Sequence, residues 1–91
     1  MQPAVYIIAS KRNGTLYIGV TSNLSQRIVQ HREKQVLGFS NKYHTHILVW
    51  YRYHETMLFA LEAEKKLKKW NRVWKIRLIE RSNPYWQDLE I

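Results

Sequence analysis

Apolar runs separated by short polar stretches predict an alternation of strands and helices along this chain. Two β-branched and aromatic runs, AVYIIAS (4–10) and LYIGVT (16–21), flank the pair Asn13-Gly14. Such runs favour strands, and Asn-Gly favours a tight turn because both residues tolerate a positive φ. The sequence therefore predicts a β-hairpin, which places Tyr6 and Tyr17 on neighbouring strands.

The polar segment after the hairpin predicts a helix that begins at Asn23. Asn23 is the expected N-cap, and Gln26 follows three residues later as its capping-box partner. Leu24, Ile28 and His31 recur at helical spacing, so they define the side expected to face inward. The segment VLGFSNKYHTH that follows is rich in helix breakers and predicts a loop.

The second half of the chain predicts one more strand and two helices. The run ILVWYRYH (47–54) is continuously apolar and aromatic, which favours a central strand. The segment ETMLFALEAEKKLKKWNR predicts a helix with one apolar arc, formed by Met57, Ala60, Leu61, Ala63, Leu67 and Trp70. Asn71 is expected to interrupt this helix, and RVWKIRLIER predicts a shorter one.

The end of the chain is expected to fold back onto the rest of the molecule. Asn83-Pro84 ends the last predicted helix, because the residue before a proline disfavours helical geometry. Three apolar residues of the tail are expected to pack back: Trp86, Leu89 and Ile91. A chain of 91 residues fits one domain, 1–91, with its core over about 2–80 and a tail over 81–91.

The charge of the chain points to a polyanionic partner. Fifteen Lys and Arg face seven Asp and Glu, for a formal net charge of +8. That excess favours nucleic acid, although a generally basic protein or one that contacts anionic lipid is the alternative. The absence of cysteine excludes disulfides and thiolate metal sites. No apolar run is long enough to cross a bilayer or to form a secretory signal, so a cytoplasmic location is expected.

Glu64 is the most informative single position. It falls in the middle of the apolar arc, between Ala60 and Leu67, whereas Glu62 points toward the lysines of the opposite face. A carboxylate turned toward a core is costly unless it is paired or binds a cation. A buried salt bridge, a tilted helix and a functional site therefore all stay open.

Other polar residues are less specific. Arg27 is interpreted as a solvated helix residue, as the ion-pair partner of Glu64, or as a functional group. His31 on an inward side is more often a hydrogen-bonded core histidine than a ligand. The spacing of the remaining histidines does not match a zinc site on one element.

Three blocks in chain order resemble the GIY-YIG nuclease superfamily. AVY (4–6) is similar to the first signature strand, with alanine where the name has glycine, and YIG (17–19) matches the second. GVTSNLSQRIVQH resembles the G-x-T-x-N-L-x-x-R-x-x-x-H stretch of the small stand-alone bacterial members. FALEAEKKLKKWNRVWKIRLIERSNPYWQDL is similar to their A-x-x-x-E-K-x-x-K-x-W-x-R-x-W-K segment and its N-P-x-W-x-D-L close.

This resemblance implies an α+β fold, with a small three-stranded antiparallel sheet flanked by helices. It implies a metal-dependent DNA endonuclease that hydrolyses phosphodiester bonds, in DNA repair or recombination. The implied catalytic residues are Tyr6, Tyr17, Arg27 and Glu64, and Glu64 is the implied ligand of Mg²⁺ or Mn²⁺. The implied supporting residues are Gly19, His31 and Asn83, with Asn71 as the alternative asparagine.

The roles of these residues follow partly from their chemistry. An arginine matches phosphate geometry, whereas a tyrosine is a general base only if its pKa, normally about 10, is lowered. Which tyrosine acts as the base stays open. Gly19 is expected to let the strand end lie close to the phosphate. Arg27, Lys34 and Lys42 are expected to contact nucleic acid.

The implied partner is DNA, together with an accessory protein that supplies specificity, and no membrane. Specificity from the chain's own basic surface or from substrate shape is the other interpretation. Two rival functions remain. One is a non-catalytic nucleic-acid-binding module, in which WYRYH and KKWNRVWKIR contact bases and phosphates rather than pack in the core. The other is an interaction module that recruits repair factors.

Overall fold

Three antiparallel strands form one sheet. The computed structural model describes residues 2–34 and 47–91. Strand β1 spans Ala4–Ala9, β2 spans Leu16–Thr21 and β3 spans Ile47–Tyr53. The order across the sheet is β2-β1-β3, and both pairings are antiparallel. This arrangement confirms the implied three-stranded sheet.

The middle strand is β1, so the expectation that residues 47–54 form the central strand is wrong. Each of the six β1 residues is at most 1% exposed. In β3, Leu48 and Val49 are buried, but Arg52 and Tyr53 are exposed. The apolar and aromatic run over 47–54 does not reveal its place in the sheet, because aromatic residues suit an edge strand as well as a central one. The order of strands across a sheet depends on long-range pairing.

In the described part of the chain three helices pack on the sheet, and each begins after a polar N-cap residue. They are α1 (Leu24–Lys34), α2 (Met57–Lys69) and α3 (Arg72–Ser82). The Asn23 side chain accepts from the backbone N–H of Gln26 at 3.2 Å, as the capping prediction requires. The Gln26 side chain accepts in turn from the Asn23 side-chain amide at 3.4 Å, not from its backbone. Asn71 does interrupt the helical run, because it caps α3.

The Asn13-Gly14 turn joins β1 to β2 as predicted, but only one of its residues uses a positive φ. Asn13 has φ 59°, whereas none of the described glycines has a positive φ. The Gly14 N–H donates to the Lys11 carbonyl at 2.9 Å and closes the turn. The Arg72 guanidinium at the start of α3 donates to the carbonyls of Asn13 and Gly14, which ties the turn to that helix.

Alternation along β1 divides the buried residues into two clusters. Val5, Ile7 and Ala9 face α2 and α3, together with Ile18, Val49, Ala60, Leu67, Ile79 and Trp86. Ala4, Tyr6 and Ile8 face the other side, together with Leu24, Ile28 and Leu48. Leu24 and Ile28 come from α1, so Tyr6 is buried on the α1 side of the sheet.

The last residues of the chain lie against β3. Trp86 is 4% exposed and its indole N–H donates to Glu80 at 2.7 Å. Asp88 accepts from the Leu48 N–H at 3.0 Å and pairs with Arg32 at 2.8 Å. Ile91 is 47% exposed, so the expectation that it packs back is wrong. None of the helices in the described ranges is long and apolar enough to span a bilayer.

Candidate active site

Gly19 makes room for the ring of Tyr6. The two residues are paired across β1 and β2. A Cβ placed on Gly19 would overlap the Tyr6 hydroxyl and lie 2.5 Å from its Cζ, far inside van der Waals contact. Since the φ of Gly19 is not positive, space and not backbone freedom requires the glycine. The phenol of Tyr6 thus crosses β2 over a position without a side chain.

We therefore expect Gly19→Ala to lower the free energy of unfolding by about 1–3 kcal/mol, through overpacking against Tyr6. The sign of this change is informative, because alanine in the interior of a strand otherwise stabilises a protein by about 0.5–1 kcal/mol relative to glycine. Urea denaturation measures the change. Tyr6→Phe in the same chain removes the overlapping hydroxyl and should recover part of the loss. A Gly19→Ala protein as stable as the wild type would contradict this packing.

Tyr6, Tyr17 and His31 form an aromatic cluster on the α1 side of the sheet. The ring of His31 lies edge-on to both tyrosines, with centroids 5.9 Å from Tyr6 and 5.4 Å from Tyr17. The two tyrosine rings are 6.4 Å apart. The Tyr6 hydroxyl is hydrogen-bonded to His31 Nε2 at 3.3 Å. His31 therefore positions the two phenols relative to each other.

The surroundings of Tyr6 bring the four implied catalytic residues together. Burial raises the pKa of Tyr6 well above its ordinary value, and the charges of Tyr17 and Glu64 raise it further. The positive charge of Arg27 lowers the pKa of Tyr6. Tyr17, Arg27 and Glu64 thus lie close enough to affect the Tyr6 phenol, although they come from β2, α1 and α2. At neutral pH Tyr6 therefore keeps its proton.

Arg27 lies one turn into α1, on its exposed side. Its backbone N–H bonds to the Asn23 carbonyl at 3.0 Å, and the next residue, Ile28, is buried. Within residues 2–34 and 47–91 its guanidinium makes no hydrogen bond or ion pair. The interpretation of Arg27 as the ion-pair partner of Glu64 is therefore wrong. A guanidinium in this state is available to an anion.

Glu64 is largely buried at the side of α2 and is paired with a lysine of its own helix. Its side chain is 14% exposed, and its Oε2 lies 3.3 Å from Lys68 Nζ. Lys68 itself is 54% exposed. Lys68 was not predicted as a partner of Glu64, although a spacing of four residues is the signal for a helical ion pair. Glu64 is thus in a salt bridge, but not in the buried one that the sequence suggested, because its lysine is exposed. An exposed lysine is a partner that a second cation can displace.

The carboxylate of Glu64 also fits a hard divalent cation. No group of three His, Cys, Asp or Glu side chains lies together in the described part of the chain. A site here would have one protein carboxylate. Mg²⁺ suits such a site, because it keeps several waters and binds through one or two carboxylates and substrate phosphates.

Neither of the two candidate asparagines joins this cluster. The Asn83 side-chain amide donates to the carbonyls of Val49 and Gln87, and its oxygen accepts from the Gln87 N–H, which fixes the tail. Asn71 caps α3. The Lys34 side chain and all of Lys42 fall outside the part of the chain that the structure describes, as does the predicted loop over 36–46.

Comparison with known families identifies the domain. The model of the GIY-YIG catalytic domain matches residues 2–77, which is most of the chain and includes Tyr6, Tyr17, Arg27 and Glu64. The tail that packs on β3 lies outside this match. No curated protein and no solved structure matches the chain. The matched residues, the antiparallel sheet and the helices around it together place the chain in the GIY-YIG family.

Proposed function

We propose that this protein is a divalent-metal-dependent endonuclease that hydrolyses phosphodiester bonds in DNA. GIY-YIG domains are generally nucleases, and membership of the family implies a nuclease-type fold. The observation that carries the proposal is that Tyr17, Arg27 and Glu64 all act electrostatically on the Tyr6 phenol, whose ring packs against those of Tyr17 and His31. Phosphodiester hydrolysis needs groups that bind the anion, hold a cation and transfer a proton, and these side chains supply them.

In this proposal Arg27 binds the phosphate that is cleaved. A guanidinium stays charged at any relevant pH and donates two parallel N–H bonds to phosphate oxygens. The exposed position of Arg27, without an ion pair among the described residues, supports this role. As negative charge grows on the phosphate oxygens during attack, those two hydrogen bonds strengthen and lower the barrier.

The two tyrosines have different roles in this proposal. Tyr17 is 39% exposed and reaches solvent, whereas Tyr6 is 1% exposed. Tyr17 Oη is therefore the group proposed to contact the attacking water or the substrate. Tyr6 keeps its proton, holds His31 through the hydrogen bond to Nε2 and thereby orients the Tyr17 ring. Tyr6 and His31 are thus positioning residues.

Glu64 is the residue proposed to hold Mg²⁺ or Mn²⁺. When bound, such a cation neutralises phosphate charge and lowers the pKa of a coordinated water. The ion pair with Lys68 holds the carboxylate in place. The low exposure of Glu64 reduces competition from bulk water and strengthens its interaction with a cation.

The net charge of +8 supports DNA as the partner, since a basic surface attracts the phosphate backbone of any sequence. A role in DNA repair or recombination, a cytoplasmic location and an accessory protein that supplies specificity are further parts of the proposal.

The proposal is tested by incubating the purified protein with supercoiled plasmid, branched and single-stranded DNA, in Mg²⁺, in Mn²⁺ and in EDTA. We expect cleavage of at least one substrate in the presence of metal and none in EDTA. Salt-sensitive binding of all three substrates without any product would favour the non-catalytic module instead.

A further inference from the structure

A groove lined by tryptophans and cations lies on the side of the sheet opposite to Tyr6. Its first cavity, about 170 Å³ in volume, lies between β3 and α2 and is lined by Trp50, Arg52, His54, Lys66 and Trp70, among others. Val5 and Leu67 form its floor, and both belong to the cluster that faces α2 and α3. This groove is therefore separate from the candidate active site.

A second cavity continues the groove along α3. It measures about 200 Å³ and is lined by Trp70, Trp74, Arg77, Leu78 and Arg81. Trp70 and Leu78 line both cavities. We call the surface formed by Trp50, Arg52, His54, Lys66, Trp70, Trp74, Arg77 and Arg81 the tryptophan groove.

The aromatic residues of the tryptophan groove are placed to stack with planar groups. Trp70 is 37% exposed and Trp74 is 52% exposed. Their rings meet edge to face at 5.9 Å, so each leaves a face open instead of covering the other. An exposed indole at the wall of a cavity is a stacking platform for a base.

The positive charge of the groove favours an anionic ligand. Arg52, Lys66, Arg77 and Arg81 line its two cavities, and none of the described residues that line them is acidic. Arginine beside tryptophan is suited both to phosphate contacts and to cation–π contacts with bases. An apolar peptide would match the tryptophans but would leave these cations without partners.

His54 adds a hydrogen-bonding atom that lacks a partner. Its Nε2 is buried and has no hydrogen-bond partner among the residues that the structure describes. A buried polar atom without a partner is costly, so a native protein usually has a reason to keep one. Because this atom is shielded from solvent, the ligand contacts of the groove come from the tryptophans and the cations.

From these observations we propose that the tryptophan groove binds single-stranded nucleic acid. Bases occupy the cavities on the two sides of Trp70, and the phosphates lie on the four cations. Bases stacked inside a duplex cannot enter the cavities, so the groove selects unpaired strands. The proposal goes beyond the endonuclease function and does not depend on catalysis.

The test measures binding without metal, so that no cleavage occurs. Fluorescence anisotropy of labelled ten-residue oligothymidylate and oligouridylate is followed in EDTA, for the wild type and for Trp70→Ala/Trp74→Ala. Since stacking on one aromatic side chain is worth several-fold to more than a hundredfold in affinity, we expect at least a tenfold loss for both oligomers or for one of them. The oligomer that loses affinity identifies DNA or RNA.

Matched variants separate the groove from general effects. Tyr85 is 74% exposed and lines neither cavity, so Tyr85→Ala should bind within about twofold of the wild type. Arg77→Glu/Arg81→Glu should weaken binding more than Lys11→Glu/Arg12→Glu, which reverses the same two charges on the exposed hairpin turn. Unchanged oligomer affinity in both groove variants would overturn the proposal, whether or not the protein cleaves DNA.

Discussion

Glu64→Gln is expected to reduce metal-dependent DNA cleavage by roughly a thousandfold, because an amide cannot replace a carboxylate as the anchor of a divalent cation. The fold should survive the change. The partner Lys68 is 54% exposed, so water can solvate its charge when the ion pair is lost. Initial rates on plasmid DNA measure the activity, and binding of Mn²⁺ by calorimetry measures the metal site directly.

Glu62 provides the matched control for this prediction. It lies on the same helix two residues away, and it is exposed. Glu62→Gln removes the same charge from the same helix, so it should leave both the cleavage rate and Mn²⁺ binding within about twofold of the wild type. Equal losses in the Glu62 and Glu64 variants would show that the net charge, and not a site at Glu64, controls the reaction.

Arg27→Ala is expected to lower the cleavage rate by about 100- to 1,000-fold, because it removes hydrogen bonds that strengthen in the transition state. Arg27→Lys keeps the charge but not the two parallel donors, so it should recover only part of the loss. Stability should change by less than about 0.5 kcal/mol, since the side chain is exposed and the described residues offer it no ion pair.

Arg12→Ala is the control for charge. Arg12 is exposed in the hairpin turn, and its removal weakens general attraction to DNA by the same single charge. We expect its effect to appear as a small, salt-dependent change in KM. If Arg12→Ala and Arg27→Ala lowered kcat equally, Arg27 would be no more than one part of the basic surface.

Local features of the fold followed well from the sequence. The hairpin turn, the Asn23 cap and the interruption at Asn71 depend on side chains and neighbours within four residues. Such interactions have the same form in most proteins, so local pattern is enough to predict them. The position of Glu64 among apolar neighbours also followed from helical periodicity alone.

The order of the strands did not follow from the sequence. β1 and β3 are both apolar, and nothing local distinguishes the central strand from the edge strand. The burial of β1 results from its pairing with β2 on one side and with β3 on the other. The pairing of β1 with β3 joins residues that are far apart in the chain, as in Tyr6 opposite Tyr51.

The arrangement of the candidate site was only partly predictable. Family resemblance named Tyr6, Tyr17, Arg27 and Glu64, but it did not distinguish the roles of the two tyrosines. That difference depends on tertiary burial, because Tyr6 crosses Gly19 beneath α1 while Tyr17 stays at the surface. The reason for Gly19 was also missed, since the Tyr6 ring fills the space that had been assigned to the phosphate.

The central claim is that one site, held by Arg27 and Glu64, hydrolyses DNA with a divalent cation. The most direct measurement compares the wild type with Arg27→Ala/Glu64→Gln, purified in parallel, on supercoiled plasmid in Mg²⁺ and in EDTA. We expect nicked and linear products from the wild type in Mg²⁺ only, and none above background from the double variant. Equal product from the double variant, or undiminished cleavage in EDTA, would contradict it.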